Sequence, residues 1–300
     1  MAAYATVARA TTYPFTLPDA LGGSVTITRK PQRIVSLAPN VTEILFAVGA
    51  GDRVVGVTRF CNYPPEAKRL PKVGGYTDIS VEAVVALSPD LVVVSRGNPK
   101  PTLAALSRQG LTILAAINTE SLDEVERAIL RIGRATDNEE QARQVCETMQ
   151  KTLASVQKTV SDVNPRRRVY FGSLAAPYMA AGPSSFIGEC IAAAGGDNVA
   201  QGIRGAWPTL SIETIIARDP EVVIEGFHAD AAGGHRDELL KRLRGDPVWS
   251  KIAAVREDRV FIMNDDMVHR PGPRLAEAVA DMARLFYPER FPTDGARKPQ

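Results

Sequence analysis

Residues 79–94 read ISVEAVVALSPDLVVV, and residues 210–225 read LSIETIIARDPEVVIE. Aligned, the two stretches share Ser80 with Ser211, Glu82 with Glu213, Ala86 with Ala217, Pro89 with Pro220 and Val92 with Val223. Elsewhere they mostly trade one aliphatic residue for another, or Asp for Glu. The copies lie much further apart than the roughly 20–50 residues of stacked repeat arrays, so they mark a duplicated lobe. Each carries a serine suited to an N-cap, a glutamate in the first turn, apolar residues at helical spacing, a proline beside an acid, and a β-branched run. That order predicts helix, turn and strand. The apolar runs at 91–94 and 222–224 suit strands covered on both faces of a parallel sheet. Two α/β lobes with mainly parallel sheets follow.

The flanking sequence extends the pattern. RIVSLAPNVTEILFAVGAGDRVVGVT (33–58) predicts strand, loop, helix, turn and strand, with Asn40 or Thr42 as cap and Gly49 and Gly51 ending the helix. Helices are expected over Pro99–Gln109 and Ser121–Arg134, with the strand LTILAAI between them. Residues 138–163 contain neither Gly nor Pro and place Ala142, Val145, Met149, Leu153, Val156 and Val160 at roughly helical intervals. One helix on the order of 40 Å long would result, a stiff connector. RVYFGS then restarts the α/β pattern, and SSFIGECIAAAGG echoes NVTEILFAVGAG. The expected organisation is an N-terminal arm (1–30) with a hairpin at Gly22 and Gly23, a first lobe (31–136), the connecting helix (137–164), a second lobe (165–290) and a tail (291–300).

Composition narrows the function. A formal net charge of +2 gives no reason to expect nucleic acid or an anionic membrane as partner, and Arg166–Arg168 read as a solvated loop before a strand. No stretch approaches the roughly 18 apolar residues of a membrane helix. The start, MAAYATVARATTYPF, has no continuous apolar segment and is not an intact secretory signal. Either the protein is cytoplasmic or its signal has been removed. Cys61, Cys146 and Cys190 show no CxxC spacing; the last two fit helical cores, whereas Cys61, in the loop FCNYPPE, is open to packing or function. His228 and His235 read as loop residues. There is no P-loop, G-x-S-x-G, HExxH or dinucleotide fingerprint, so no catalytic cofactor is expected and the chain reads as a non-enzyme.

The segments RIVSLAPNVTEILFAVGAGDRVVGVT, FCNYPPEAKRLPKVGGYTDISVEAVVALSPDLVVV, AAAGGDNVAQ and WPTLSIETIIARDPEVVI resemble those of periplasmic cobalamin-binding proteins. These belong to the helical-backbone receptors for cobalamin, haem and ferric siderophores, and the likeness runs from about Pro31 to Tyr287. It implies two α/β lobes joined by a long helix, a ligand cleft between the lobes, and delivery of a small metal-chelate cargo to the transmembrane subunits of an ABC importer. It favours an extracytoplasmic location with the signal removed, and a monomer is the expected assembly.

The implied cargo is a cobalt corrinoid, with haem or a ferric siderophore as alternative. Glu82 and Glu213 match the glutamates that dock such receptors onto arginines of the transporter; dipole stabilisation alone is the competing account. Phe60, Tyr76, Tyr178 and Trp207 match aromatic cleft positions, and flat faces suit macrocycles. Ser95 and Met267 stand where close relatives carry tryptophans, which leaves room for a smaller or differently substituted tetrapyrrole as the alternative. In NDDMVHRPGPRLAEA, after Asp265, Asp266 and Arg270 match the cleft, where they would bond corrin amides or anionic groups. His269 is a candidate axial metal ligand. A tetrapyrrole-processing enzyme is the remaining rival.

Overall fold

Strands β1 (Phe15–Pro18) and β2 (Ser24–Ile27) pair antiparallel from Phe15 against Ile27 to Pro18 against Ser24. The Asp19 carboxylate closes their turn by accepting the amides of Leu21 and Gly23, each at 2.8 Å, and Gly22 supplies the required positive φ of 87°. The computed structural model describes residues 11–118, 121–226, 236–263 and 265–291. The chain divides into two compact units, Met1–Thr119 with Asp123–Thr148, and Glu120–Leu122 with Met149–Gln300.

The first unit runs through β3 (Ile34–Ser36), α1 (Pro39–Ala47), β4 (Val54–Val57), α2 (Val81–Ala86), β5 (Leu91–Ser95), α3 (Lys100–Arg108), β6 (Ile113–Ile117) and α4 (Leu122–Ala135). Its four-stranded sheet has the order β4-β3-β5-β6, all parallel. Every residue of β5 is buried, as expected for a strand covered on both faces. Val35, Val92 and Val94 pack with Val84 of α2 and Leu106 of α3.

Helix α5 (Glu139–Val160) begins in the first unit and ends in the second. The run without Gly or Pro is thus one helix of 22 residues, about 33 Å long at 1.5 Å per residue. Ala142, Cys146, Met149, Val156 and Val160 form its buried stripe. Cys146 takes the place expected of Val145, which is half-buried.

The second unit continues with β7 (Arg168–Gly172), β8 (Tyr178–Met179), α6 (Phe186–Ala193), β9 (Asp197–Asn198), β10 (Thr209–Leu210), α7 (Ile212–Arg218), β11 (Val222–Glu225), α8 (Arg236–Gly245), α9 (Ala253–Arg256), β12 (Val260–Ile262), α10 (Asp265–Val268) and α11 (Leu275–Phe286). Its main sheet has the order β9-β7-β11-β12, again all parallel, and β8 pairs antiparallel with β10. In both units the second strand of the sheet lies on one edge, followed by the first, third and fourth. The repeat read in sequence is therefore a repeat of topology, and the repeated stretch is the helix and third strand of each sheet.

The conserved grammar of the two copies has a physical counterpart. Ser80 and Ser211 each cap their helix, accepting the amides of Ala83 at 3.1 Å and Thr214 at 3.2 Å. Ser88 and Asp219, which precede the two prolines, both take positive φ, 47° and 37°. Just after them, Asp90 accepts the amides of Gln32 and Arg33 at 2.9 Å each, and Glu221 accepts the amide of Arg168 at 3.1 Å. The arginines return the bond: Arg33 donates to the carbonyl of Leu87, and Arg168 to those of Arg218 and Asp219. Each third strand is thereby clamped to the start of the first.

Two local expectations are corrected. Asn40 and Thr42 do not cap α1; Pro39 is its first residue, Ala38 stands at the cap without a side-chain bond, and the fixed φ of proline sets the start. Arg167 and Arg168 are not a solvated loop, for Arg168 forms the clamp and Arg167 lies over the Tyr287 ring at 5.4 Å. His228 and His235 lie outside the described residues.

Candidate functional site

In each unit the aromatic candidates follow the carboxyl ends of sheet strands, the edge at which open α/β sheets bind ligands. The loop after β4 is anchored by Cys61, whose thiol is 1% exposed and lies 3.1 Å from both the Thr42 and Thr58 hydroxyls. Thr42 also donates to Ser36 at 2.8 Å. Of the two readings of Cys61, packing is the one this buried knot supports. The knot holds out Phe60, which is 48% exposed. The Arg59 guanidinium lies over that ring at 5.1 Å and bonds both carboxylate oxygens of Asp78 at 2.9 and 3.0 Å. Those hydrogen bonds hold the Asp78 carboxyl below the ordinary range.

Tyr76 is half-buried beside the loop after β5. Its hydroxyl lies 3.4 Å from Ser95 Oγ. A Cβ on Gly97 would stand 2.1 Å from that hydroxyl, so the glycine makes room for the ring. Asn98 fixes the arrangement: its amide donates to the carbonyls of Leu37 at 2.8 Å and Tyr76 at 3.1 Å, while its oxygen accepts the Ser95 amide at 2.9 Å. Ser95 is itself 2% exposed and lies inside this network.

In the second unit Tyr178 meets the buried Trp249 edge-on, ring centres 6.0 Å apart. Trp207 stacks on the His269 imidazole at 6.3 Å with 22° between planes, and His269 also faces Phe171 at 5.9 Å. Both ring nitrogens of His269 are shielded from solvent, so axial ligation would require the ring to leave this stack. Asp266 and Arg270, one helical turn apart, form an ion pair whose arginine is 14% exposed. Met267 is half-buried on the same turn.

Glu82 and Glu213 occupy equivalent exposed places in the first turns of α2 and α7. The Ser80 hydroxyl donates to Glu82 at 3.1 Å. Arg59, Asp78 and Asn98 were not singled out in the sequence. Arg59 adjoins Phe60, which is the only local hint; the partners of the other two are set by loops that converge in space. Among the described residues no three His, Cys, Asp or Glu side chains converge as a metal site, and no helix is long and apolar enough to cross a membrane.

Known proteins share this framework. An uncharacterized ABC transporter substrate-binding lipoprotein of Bacillus subtilis is 32% identical over 93% of this chain and 87% of its own length. A cobalamin-binding protein of Halobacterium salinarum is 34% identical over 95% of this chain and 78% of its own. The solved structure of a periplasmic haem-binding protein from Roseiflexus aligns with a TM-score of 0.74 and 29% identity, covering 86% of this chain and 99% of that one. The family model described as periplasmic binding protein matches residues 34–267, and with two parallel sheets of one topology and relatives above 30% identity, the chain belongs to the periplasmic binding protein family.

Proposed function

We propose that this protein is an extracytoplasmic substrate-binding protein that captures a corrinoid and hands it to an ABC importer. The observation that carries the reading is the set of aromatic side chains beyond the strand ends of both units, Phe60 and Tyr76 on loops of the first, and Tyr178 of the short strand β8 with Trp207 in the second. Flat apolar faces with few polar groups beside them suit a macrocycle. Asp266 and Arg270 supply a paired acid and base that can exchange their mutual bond for amide or carboxylate groups on the cargo. The relative named for cobalamin supports this cargo, and the one named as an ABC transporter lipoprotein supports the importer as partner.

Haem is the second reading. It is favoured by the solved haem-binding neighbour and by Met267 standing where a larger aromatic wall is expected. Glu82 and Glu213 serve as docking carboxylates for cations on the importer, one on each unit. Their exposure and equivalence support that role, and electrostatic pairs of this kind act chiefly on association rate.

Titration of the purified protein with cyanocobalamin, haem and a ferric siderophore, followed by absorbance and calorimetry, tests the reading. Saturable stoichiometric uptake of cyanocobalamin without product is expected. Uptake of haem alone would shift the cargo to the second reading, and turnover with added reductant or metal would make the protein an enzyme.

A further inference from the structure

The aromatic side chains of the two units are steadied in different ways. In the second unit rings lie against rings, Trp207 against His269 and Tyr178 against Trp249. In the first, Phe60 is 48% exposed, and what lies over it is a cation: the Arg59 guanidinium stands 5.1 Å from the ring centre, within the range of cation–π attraction.

That cation is itself anchored. Arg59 Nη1 donates to Asp78 Oδ2 at 2.9 Å and Nη2 to Oδ1 at 3.0 Å, a two-pronged bond that fixes direction as well as distance. Asp78 lies two residues beyond Tyr76 on the same loop. The backbone ties the two loops a second time, the Arg59 amide donating to the Gly74 carbonyl at 2.8 Å. Between them sits Gly75, where a Cβ would stand 2.1 Å from Asp78 Oδ1 and 2.7 Å from Arg59 Nη2. The glycine leaves the space the ion pair occupies. A third loop joins through Asn98, which donates to the Tyr76 carbonyl at 3.1 Å. One chain of contacts therefore runs from the Phe60 ring through Arg59 and Asp78 to the loop of Tyr76.

The fold has little need of this pair. Its side chains are 51% and 60% exposed, and an exposed ion pair adds little to folding stability. The loops are already held by backbone bonds from Val73 to Val57 and from Ser80 to Val73. What the pair does set is the place of an exposed ring. We propose that Arg59 is a positioning residue of the binding site: anchored on Asp78, it fixes Phe60 relative to the Tyr76 loop, so that the first unit meets a macrocycle with both aromatic faces already set. The inference rests on the reading of Phe60 and Tyr76 as side chains that stack on the cargo. Its benefit is entropic, since a ring ordered beforehand loses less freedom on binding.

The test measures binding of cyanocobalamin and of haem to the full chain by calorimetry. Alongside it, the fluorine spectrum of the cargo-free protein labelled with 4-fluorophenylalanine is recorded, with Phe60→Leu identifying the Phe60 signal. Arg59→Gln removes the cation, whereas Gly75→Ala keeps both charges and pushes the pair aside. Each is expected to weaken cargo binding about two- to tenfold, the cost of re-ordering one side chain, and to shift and narrow the Phe60 signal. Melting temperature should not change. Arg59→Lys, which keeps the charge without the fork, should fall between wild type and Arg59→Gln. In a Phe60→Ala background Arg59→Gln should cost nothing further, because two residues acting through one contact are not additive. An undiminished loss in that background would mean that Arg59 touches the cargo itself, and would overturn the positioning role. Wild-type binding by Arg59→Gln and Gly75→Ala, or an unmoved Phe60 signal, would overturn it as well. If the wild-type protein takes up neither cargo, the proposed function falls separately, and the fluorine signal alone decides whether Arg59 holds the ring.

Discussion

Tyr76 is held by its neighbours before any cargo arrives. The Asn98 amide fixes its carbonyl, and the missing side chain of Gly97 leaves the space its hydroxyl enters. Such prior ordering lowers the entropic cost of stacking. Replacing Tyr76 and Trp207 together by alanine should weaken corrinoid binding by about 2 kcal/mol, about 1 kcal/mol for each lost aromatic surface, measurable by calorimetry. Unchanged affinity in the double variant would move the site elsewhere. Gly97→Ala should weaken binding too, by displacing the ring without touching its chemistry.

The thiols give a second test at this scale. All three cysteines are buried and free, and burial pushes the Cys146 thiol up to about 11 and the Cys190 thiol higher still. Below its pKa a thiol is protonated and a poor nucleophile. Cys61 is shielded by its burial alone, and Ellman's reagent at pH 8 should find no reactive thiol in the native protein and three after denaturation. Rapid reaction of one native thiol would single out Cys61 as accessible and reopen its functional reading. Phe60, Tyr76 and Trp207 were legible as loop residues flanking strand patterns, whereas Tyr178 lies in the short strand β8. The Arg59–Asp78 pair and the Asn98 bonds were not, because each joins residues on different loops that only the folded sheet edge brings together.

Among the elements, the repeated helix and strand were legible because their signals are local: a capping serine, helical spacing, a proline and a β-branched run. The clamp was not. Its partners, Arg33 with Asp90 and Arg168 with Glu221, are separated by more than fifty positions and meet only through parallel pairing. The clamp does explain why the copies exchange Asp for Glu at that position: either carboxylate can accept an amide at the start of the first strand. Alanine at Asp90 or Glu221 should cost about 1–2 kcal/mol, since amides at the start of the first strand lose their acceptor and Arg29 or Arg168 its counter-charge. Urea denaturation checks this, with Glu147→Ala on the exposed side of α5 as control. A loss no larger than the control's would mean that water replaces the carboxylate. The start of α1 was misread for a related reason. Asn40 and Thr42 are good cap residues, but Pro39 begins the helix ahead of them.

For the whole molecule, the continuous helix α5 sets the expectation for motion. A single stiff element passing from one unit into the other has no flexible joint within it. Cargo binding should change the radius of gyration in solution scattering only slightly. A large contraction would place a hinge in the chain outside α5 and make closure part of capture.

The distribution of indole rings has an optical consequence. The chain has two tryptophans, Trp207 against His269 and Trp249 beneath Tyr178, and both belong to the second unit. Emission excited at the red edge of the protein band therefore reports on that unit alone, and the first is dark. Corrinoids and haems absorb where indoles emit, so cargo bound near Trp207 will quench by energy transfer whichever unit it contacts first. Denaturation followed by this light and by circular dichroism together would register the two units separately: ellipticity lost before the emission changes belongs to the half that carries no lamp.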